Sequence, residues 1–212
     1  MHHIMFDVDG TLVQSYAIDE ACYVKSVSEV LGHSIDTNWS KYRYVTDSGI
    51  LKEHLERNDI FENHDEIFRE VKSVFIEKIK HHLLSNPASE IAGASAFISQ
   101  LKELNSVSLS IATGGWLETA KLKLESASID VSDIPIASSD DHHSRIEIMK
   151  AAKNKANVKG DFLLTYFGDA SWDQKACSEL GYNFILVGNR IKNGKAVNDL
   201  TNINQILSLI GL

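Results

Sequence analysis

Two aspartates end an apolar run close to the N-terminus. The segment "MFDVDGTL" (5–12) places Asp7 and Asp9 one residue apart. Because side chains alternate along a strand, this spacing predicts that both carboxylates point to the same side. Two carboxylates about 4 Å apart repel each other by roughly 4 kcal/mol at an effective dielectric constant near 20. Such a pair requires a bound cation, a shared proton or strong hydrogen-bond donors.

Further polar residues follow the other segments that have the pattern of strands. In open parallel sheets, ligands bind beyond the carboxyl ends of the strands. The residues expected at that edge are Asp7, Asp9, Thr113, Gly114, Asp140 to Arg145, Gly168, Asp169 and Asp173. Carboxylates, a hydroxyl and a cationic side chain at one edge suit a divalent cation together with a phosphate group. Asp7 and Asp169 offer the one or two carboxylates that Mg²⁺ takes when it also binds water and phosphate oxygens.

The same residue types are those that phosphoryl transfer requires. A carboxylate that stays ionised beside a cation can attack phosphorus, which is a role for Asp7. A second acid, Asp9, can protonate the leaving oxygen and later deprotonate water, which is worth typically ~10²–10⁴-fold in rate. Thr113, the backbone N–H of Gly114 and a cation would hold the other phosphate oxygens as charge develops.

Apolar periodicity predicts the elements that position these residues. Strands are expected at 4–8, 107–113, 134–139, 161–168 and 183–188, with helices between the later ones. The segment before Pro87 has helical spacing throughout: a helix at 17–31 ended by Gly32, a short helix capped by Asp47 or Ser48, and a long helix ending near Leu84. "KNGK" (192–195) predicts a turn that starts a small terminal hairpin, and the tail after Asn198 predicts a last helix.

This alternation predicts an α/β protein with a Rossmann-like parallel sheet flanked by helices. The core is expected to comprise residues 1–14 and 86–212, and an all-helical segment, residues 15–85, is inserted after the first strand. We call residues 15–85 the helical insert. A chain of 212 residues is long enough for one core domain and a smaller inserted one.

Composition narrows the class of protein. The net charge of −8 argues against nucleic acid or an anionic membrane as the main partner. Cys22 and Cys177 have no spacing typical of disulfides or metal sites and are expected to be buried thiols. No apolar run is long enough to span a bilayer, and the acids at 7 and 9 leave no room for a signal peptide, which predicts a cytoplasmic protein. His2 and His3 fit either a native start or the remnant of a tag.

Four short segments of the chain together resemble the motifs of a known family. "FDVDGTL", "IATGG", a basic residue and "FGDASWD" resemble, in that order, the four motifs of the haloacid dehalogenase superfamily. The helical insert resembles the C1-type cap of its phosphoglycolate phosphatase and β-phosphoglucomutase branch. The resemblance implies a Mg²⁺-dependent enzyme acting on a small phosphorylated metabolite, as a monomer or weak homodimer.

The resemblance also implies a role for each matching residue. Asp7 corresponds to the nucleophile that forms an aspartyl-phosphate, and Asp9 to the general acid and base whose backbone carbonyl binds the metal. Thr113 corresponds to the phosphate-binding hydroxyl. Asp169 corresponds to a metal ligand, and Asp173 to the acid that supports the metal site. Aspartate at position 9 implies a phosphatase or phosphomutase rather than a dehalogenase or phosphonate hydrolase.

The third motif departs from the family pattern, which has a lysine. Arg145 stands at the expected distance before Gly168, and Lys150 is the alternative, further inside the following helix. Arginine keeps the charge, but its planar fork differs from the point charge of lysine. This departure bears on rate and substrate range more than on the class of reaction.

Other classes of protein share some of these sequence features. A calcium loop is excluded because Gly10 directly follows Asp9, whereas the calcium-loop pattern has a third ligand two residues after the second and glycine only after that ligand. The residues from Asp140 to His143 are expected to form a solvated loop. A receiver domain is disfavoured because the acidic pair is on the first strand and the insert is present. A sugar phosphomutase and a non-catalytic binding protein stay open beside the phosphatase, with substrate contacts expected from 14–16 and 46–49.

Overall fold

A parallel sheet forms the centre of the chain, all 212 residues of which are described by the computed structural model. Its strands are β1 (His2–Phe6), β2 (Val107–Ala112), β3 (Ile136–Ala137), β4 (Leu163–Gly168), β5 (Asn183–Val187) and β6 (Ala196–Val197). They lie in the order β3-β2-β1-β4-β5-β6, and every neighbouring pair is parallel. The predicted α/β architecture is therefore confirmed.

Eight α-helices accompany the sheet. They are α1 (Tyr16–Leu31), α2 (Asp47–Arg57), α3 (His64–Ser85), α4 (Ala94–Lys102), α5 (Leu117–Ser126), α6 (Arg145–Lys155), α7 (Ser171–Leu180) and α8 (Ile203–Ile210). A short 3₁₀ helix spans Trp39–Lys41. None of these helices combines the length and the apolar character that crossing a membrane requires.

The apolar strands are buried on both faces. On β1, Ile4 and Phe6 pack into a cluster of 21 buried residues on one side of the sheet, whereas Met5 packs into a cluster of 12 on the other. Burying each such side chain stabilises the fold by about 1.5–3 kcal/mol. His3 is fully buried on the same strand, with both ring nitrogens hydrogen-bonded to serines of β2. Cys22 and Cys177 are free and buried, as expected.

The helical insert has its own hydrophobic cluster of 12 buried residues, which includes Val27, Leu51 and Phe75. Trp116, at the start of α5, belongs to this cluster and joins the insert to the core. The Asp47 N–H donates to the Gly114 carbonyl at 2.8 Å. The insert therefore lies directly over the carboxyl ends of the strands.

Three local predictions are wrong. The N-cap of α2 is Thr46, because its hydroxyl accepts the Gly49 N–H at 3.0 Å while the Asp47 carboxylate accepts the Trp116 N–H at 2.8 Å. "KNGK" does not start a hairpin, since the loop carries the chain back along the sheet and β6 pairs parallel with β5. Strand β1 ends at Phe6, so Asp7 and Asp9 lie in the following loop and the alternation argument does not apply to them.

Candidate active site

Asp7 lies directly after β1 in the middle of the sheet. Its N–H donates to the Phe167 carbonyl of β4 at 2.9 Å, which extends the strand pairing by one residue. Its buried carboxylate lies near those of Asp169, just after β4, and Asp173, in the first turn of α7. One oxygen from each of these three residues lies within 4.8 Å of the others. The structure therefore brings three of the predicted acids together.

Burial and the proximity of these carboxylates shift the pKa values of Asp7 and Asp169. Burial raises the pKa of the Asp7 carboxyl well above its usual range; Arg145 opposes this rise, and the neighbouring carboxylates add to it. Burial and the nearby Asp173 carboxylate raise the pKa of Asp169 to about 6. A divalent cation would reverse both shifts, because an adjacent positive charge favours the ionised form.

Arg145 is the basic side chain that reaches this cluster. Its Nη1 lies 2.8 Å from Oδ1 of Asp173 and 3.4 Å from Oδ1 of Asp7. Its Nε is buried without a hydrogen-bond partner. Gly114 makes room for the guanidinium, because a Cβ there would lie 2.4 Å from Nη2. Lys150, the alternative, is about half exposed and pairs with Glu147 instead.

Tyr166 supports the guanidinium of Arg145. The Tyr166 hydroxyl, fully buried on β4, accepts a hydrogen bond from Arg145 at 3.2 Å and donates to the Ala112 carbonyl at 2.9 Å. Sequence reasoning missed this residue. No motif marks it, because a tyrosine within an apolar strand is typical of an ordinary core residue.

Asp169 is positioned by a glycine and by a second arginine. Gly10 has a φ of +80°, and a Cβ there would lie 2.3 Å from Oδ2 of Asp169. Arg190, in the loop after β5, donates to the same oxygen at 2.5 Å. Its guanidinium carbon also lies 3.7 Å from the centre of the Tyr16 ring. Arg190 is a further residue that sequence reasoning missed, since it belongs to none of the motifs.

Thr113 directly follows β2, the strand beside β1. Its Oγ1 accepts the Gly115 N–H at 3.1 Å. A Cβ built on Gly115 would lie 3.6 Å from this oxygen and 3.7 Å from Oδ2 of both Asp9 and Asp47. Gly115 is therefore surrounded by Thr113, Asp9 and, from the helical insert, Asp47.

Asp9 does not join the three-carboxylate cluster. Its two carboxylate oxygens accept hydrogen bonds from Lys123 at 2.6 and 2.7 Å, and Ser15 donates to Oδ1 at 2.5 Å. Lys123 is completely buried and also lies 2.5 Å from Oδ1 of Asp19. Burial alone would lower the pKa of Lys123, but the carboxylates of Asp19 and Asp9 together raise it.

Lys123 was also missed from sequence, although a signal was present. It lies three and seven residues after Ala120 and Trp116 on α5, on the apolar stripe of that helix. A lysine on such a stripe is expected to be buried, and a buried ammonium needs carboxylate partners. The acids after β3, by contrast, form a hydrogen-bonded loop: Asp141 accepts the Ser138 N–H at 2.9 Å, and no residue of 140–143 joins a metal-binding group.

A pocket opens between the core and the helical insert over these groups. Its empty space, counted together with the open solvent at its mouth, is about 590 Å³. The core contributes Asp7, Asp9, Thr113, Gly114, Gly115, Arg145 and Trp172. Of the segments expected to contact substrate, Tyr16, Thr46 and Asp47 line the pocket. The other four residues, Gln14, Ser15, Ser48 and Gly49, do not.

Comparisons with known proteins bear on the fold and the family of this chain. None of the curated proteins matches the chain. Solved structures with the same fold include a hydrolase from Pseudomonas syringae, with a TM-score of 0.76 at 19% identity over 98% of both chains. The β-phosphoglucomutase of Clostridium difficile has a TM-score of 0.75 at 17% identity, over 100% of this chain and 97% of that one. CbbY of Rhodobacter sphaeroides, solved in complex with phosphate, has a TM-score of 0.74 at 16% identity over 100% of both chains.

These identities are low enough that the structures establish the fold alone. The family assignment comes from the sequence, which matches the profile described as haloacid dehalogenase-like hydrolase over residues 4–187. That range includes both aspartates of the first motif, Thr113, Arg145 and the later acids. The chain belongs to the haloacid dehalogenase-like hydrolase family.

Proposed function

We propose that this hydrolase is a Mg²⁺-dependent phosphatase that cleaves a small phosphate monoester through an aspartyl-phosphate on Asp7. The observation that carries the proposal is the arrangement around that carboxylate. It is buried at the end of the central strand, near two further carboxylates and 3.4 Å from the Arg145 guanidinium. In this proposal, carboxylates suited to bind a cation and a guanidinium suited to bind phosphate surround the nucleophile Asp7.

The donor set fits Mg²⁺. Asp7, Asp169 and Asp173 supply hard oxygen ligands within 4.8 Å of one another. We propose that Asp7 and Asp169 hold the ion together with the backbone carbonyl of Asp9, and that Asp173 supports them. When bound, Mg²⁺ keeps the carboxylates ionised and neutralises charge on the phosphate.

The chain's own residues then supply the chemistry. Asp7 attacks phosphorus, the ester P–O bond breaks, and Asp9 gives its proton to the departing oxygen. Water next attacks the phosphorus of the acyl phosphate, Asp9 takes a proton from it, and phosphate leaves with Asp7 restored. Thr113, the Gly114 N–H and Arg145 hold the non-bridging oxygens in both steps.

The helical insert acts as the cap of this site in the proposal. Its residues 46 and 47 are hydrogen-bonded to core loops directly beside Gly114: the Thr46 hydroxyl donates to the His143 carbonyl at 2.7 Å. A closed insert excludes bulk water from Asp7 and presents its side chains to the leaving group. Substrate selection is therefore assigned to residues 15–85.

A phosphomutase of the same fold is the second candidate, because the chain shares its fold with the β-phosphoglucomutase of C. difficile. A mutase returns the phosphoryl group to a substrate that carries a second phosphate. No lysine, arginine or histidine of the helical insert lines the pocket, so a second phosphate would lack a cationic partner there. This absence favours the phosphatase.

The test is phosphate release from p-nitrophenyl phosphate and small phosphate monoesters, with Mg²⁺ and with chelator. We expect turnover that needs Mg²⁺ and is lost in Asp7→Asn. The matched control is Asp161→Asn, which changes an exposed carboxylate just before β4 and should keep full activity. Release that survives chelator or Asp7→Asn contradicts the proposal, and sugar phosphate interconversion without release favours the mutase.

A further inference from the structure

We infer that the leaving group of the preferred substrate carries an ammonium group, so that the substrates are phosphate esters of amino alcohols. This inference rests on the proposed phosphatase function and specifies its substrate class. It comes from the half of the pocket that faces away from Arg145. The helical insert forms that half, and its chemistry differs from that of the phosphate-binding half.

The insert lines the pocket with three carboxylates, those of Asp19, Glu20 and Asp47, and with no basic side chain. Lys123 is the single cation at their base, and it already binds both Asp9 and Asp19. The two remaining acids have only neutral donors. Glu20 accepts from Nε1 of Trp39 at 2.6 Å, and Asp47 accepts from the Trp116 N–H at 2.8 Å.

Glu20 and Asp47 have no ion-pair partner, which favours a cationic ligand. Burial, together with the nearby Asp19 carboxylate, raises the pKa of Asp47 well above its usual range, and an adjacent ammonium would favour the ionised form again. Transfer from water weakens the solvation of both carboxylates, and an ammonium placed between them restores the lost stabilisation. A primary ammonium also offers three donors, which suits several acceptors at once. The carboxylate oxygens of Asp47 and Asp9, each 3.7 Å from the position of a Cβ on Gly115, show that the acids extend to the reacting centre.

Aromatic rings complete this half of the pocket. Tyr23 and Trp39 line it, with their ring centres 6.4 Å apart and an interplanar angle of 75°. The faces of such rings attract cations. Tyr16, which also lines the pocket, already makes such a contact within the chain, since the Arg190 guanidinium lies over its ring. Acidic and aromatic groups together recognise an ammonium better than a neutral hydroxyl.

An anionic leaving group would be disfavoured in this half of the pocket. A carboxylate or second phosphate reaching from Asp7 toward the insert would approach Glu20, which carries charge of the same sign. It would also raise further the pKa of Asp47, which burial already raises. Like charges placed together in a partly desolvated site are strongly disfavoured. The pocket therefore discriminates by charge, in the order ammonium, neutral hydroxyl, carboxylate.

Three phosphate esters with two-carbon leaving groups test this order directly: O-phosphoethanolamine, 2-hydroxyethyl phosphate and 2-phosphoglycolate. We expect kcat/KM to be about tenfold higher for the ammonium ester than for the hydroxyl ester, and lowest for the carboxylate ester, because charged hydrogen bonds contribute more than neutral ones. Equal values for the three esters, or a preference for 2-phosphoglycolate, would overturn the inference.

Glu20→Gln identifies the groups responsible. Glutamine keeps an acceptor for Trp39 but removes the charge, so the ratio of kcat/KM for the ammonium ester to that for the hydroxyl ester should fall about tenfold. Glu29→Gln is the matched control, because Glu29 lies on the same helix, pairs with Lys78 and does not line the pocket. An unchanged ratio in Glu20→Gln, or an equal fall in both variants, contradicts the assignment.

Failure of the inference can be told apart from failure of the proposed function. If none of the esters and no p-nitrophenyl phosphate is hydrolysed, the phosphatase proposal fails. Calorimetric binding of O-phosphoethanolamine and 2-phosphoglycolate to wild-type protein in the presence of Mg²⁺ then tests the charge preference alone. Tighter binding of the ammonium ester supports the inference, and equal or weaker binding overturns it.

Discussion

The ammonium group of Lys123 lies 2.6 and 2.7 Å from the two carboxylate oxygens of Asp9. Because the same ammonium lies 2.5 Å from Oδ1 of Asp19, one fully buried cation connects the loop after β1 with helix α1 of the insert. Lys123 thereby fixes the proposed general acid and the insert relative to each other.

Replacing Lys123 by methionine should therefore lower the free energy of unfolding. Removing one partner of a buried ion pair costs roughly 3–5 kcal/mol, since the remaining charges lose their counter-ion. Urea denaturation measures the loss. Lys121→Met, at an exposed position of the same helix, should change stability by less than about 0.5 kcal/mol. If Lys123→Met lowered the free energy of unfolding no more than Lys121→Met does, the ion pairs with Asp9 and Asp19 would contribute little to stability.

Arg145 should be required for turnover. Arg145→Met removes the guanidinium beside Asp7 and should reduce kcat for phosphate release by about 10²–10³-fold. Arg145→Lys keeps a charge but not the planar fork, and should retain intermediate activity. Lys150→Met, on the exposed side of the same helix, should leave kcat unchanged. The opposite pattern would assign the third motif to Lys150.

The sequence allowed the fold to be predicted because its signals were local. Apolar runs separated by helical spacing specify parallel strands with helices on both faces, and the structure has that sheet. Residues at the strand ends, such as Asp7, Thr113 and Asp169, could be selected because parallel strands present their carboxyl ends at one edge. Their convergence follows from topology alone.

The groups that complete the site could not be selected in this way. Tyr166, Lys123 and Arg190 lie outside the motifs, and each reaches its partner through tertiary packing. The placement of Asp9 also depended on such a contact. It was expected beside Asp7 because of strand alternation, but β1 ends at Phe6 and the carboxylate is bound by Lys123. A single sequence can indicate that Lys123 is buried, but it does not show which distant side chains pair with each other.

Acid should destabilise the protein through His3. Burial, with a smaller contribution from Lys153, lowers the pKa of this imidazole from 6.5 to about 4. Below pH 6.5 the unfolded chain gains a proton that the folded chain does not bind until about pH 4. Stability from this residue is therefore fully present above pH 6.5 and decreases as the pH falls toward 4, by about 3 kcal/mol at most.

His3→Gln should flatten that dependence. Glutamine does not titrate, and its amide can still hydrogen-bond to the serines of β2. Urea denaturation between pH 7 and 4.5 should therefore show a smaller loss of stability than in the wild type. His81→Gln, at an exposed position of α3, should keep the wild-type slope. Identical slopes in the two variants would exclude His3 as the source.

Gly10 should be needed for Mg²⁺ binding at the proposed metal site, in addition to the conformation of its own loop. A Cβ at this position would lie 2.3 Å from Oδ2 of Asp169, so Gly10→Ala must displace that carboxylate. Gly32→Ala is the matched control, because Gly32 also has a positive φ, +75°, but no atom lies within 4 Å of its Cβ position. Both variants bear the backbone cost of about 1–2 kcal/mol, and only Gly10→Ala also moves Asp169.

We expect the Mg²⁺ concentration for half-maximal phosphate release to rise at least about tenfold in Gly10→Ala and to stay unchanged in Gly32→Ala, since displacing a ligand weakens metal binding. Equal values in the two variants would mean that the contact with Asp169 does not set metal affinity.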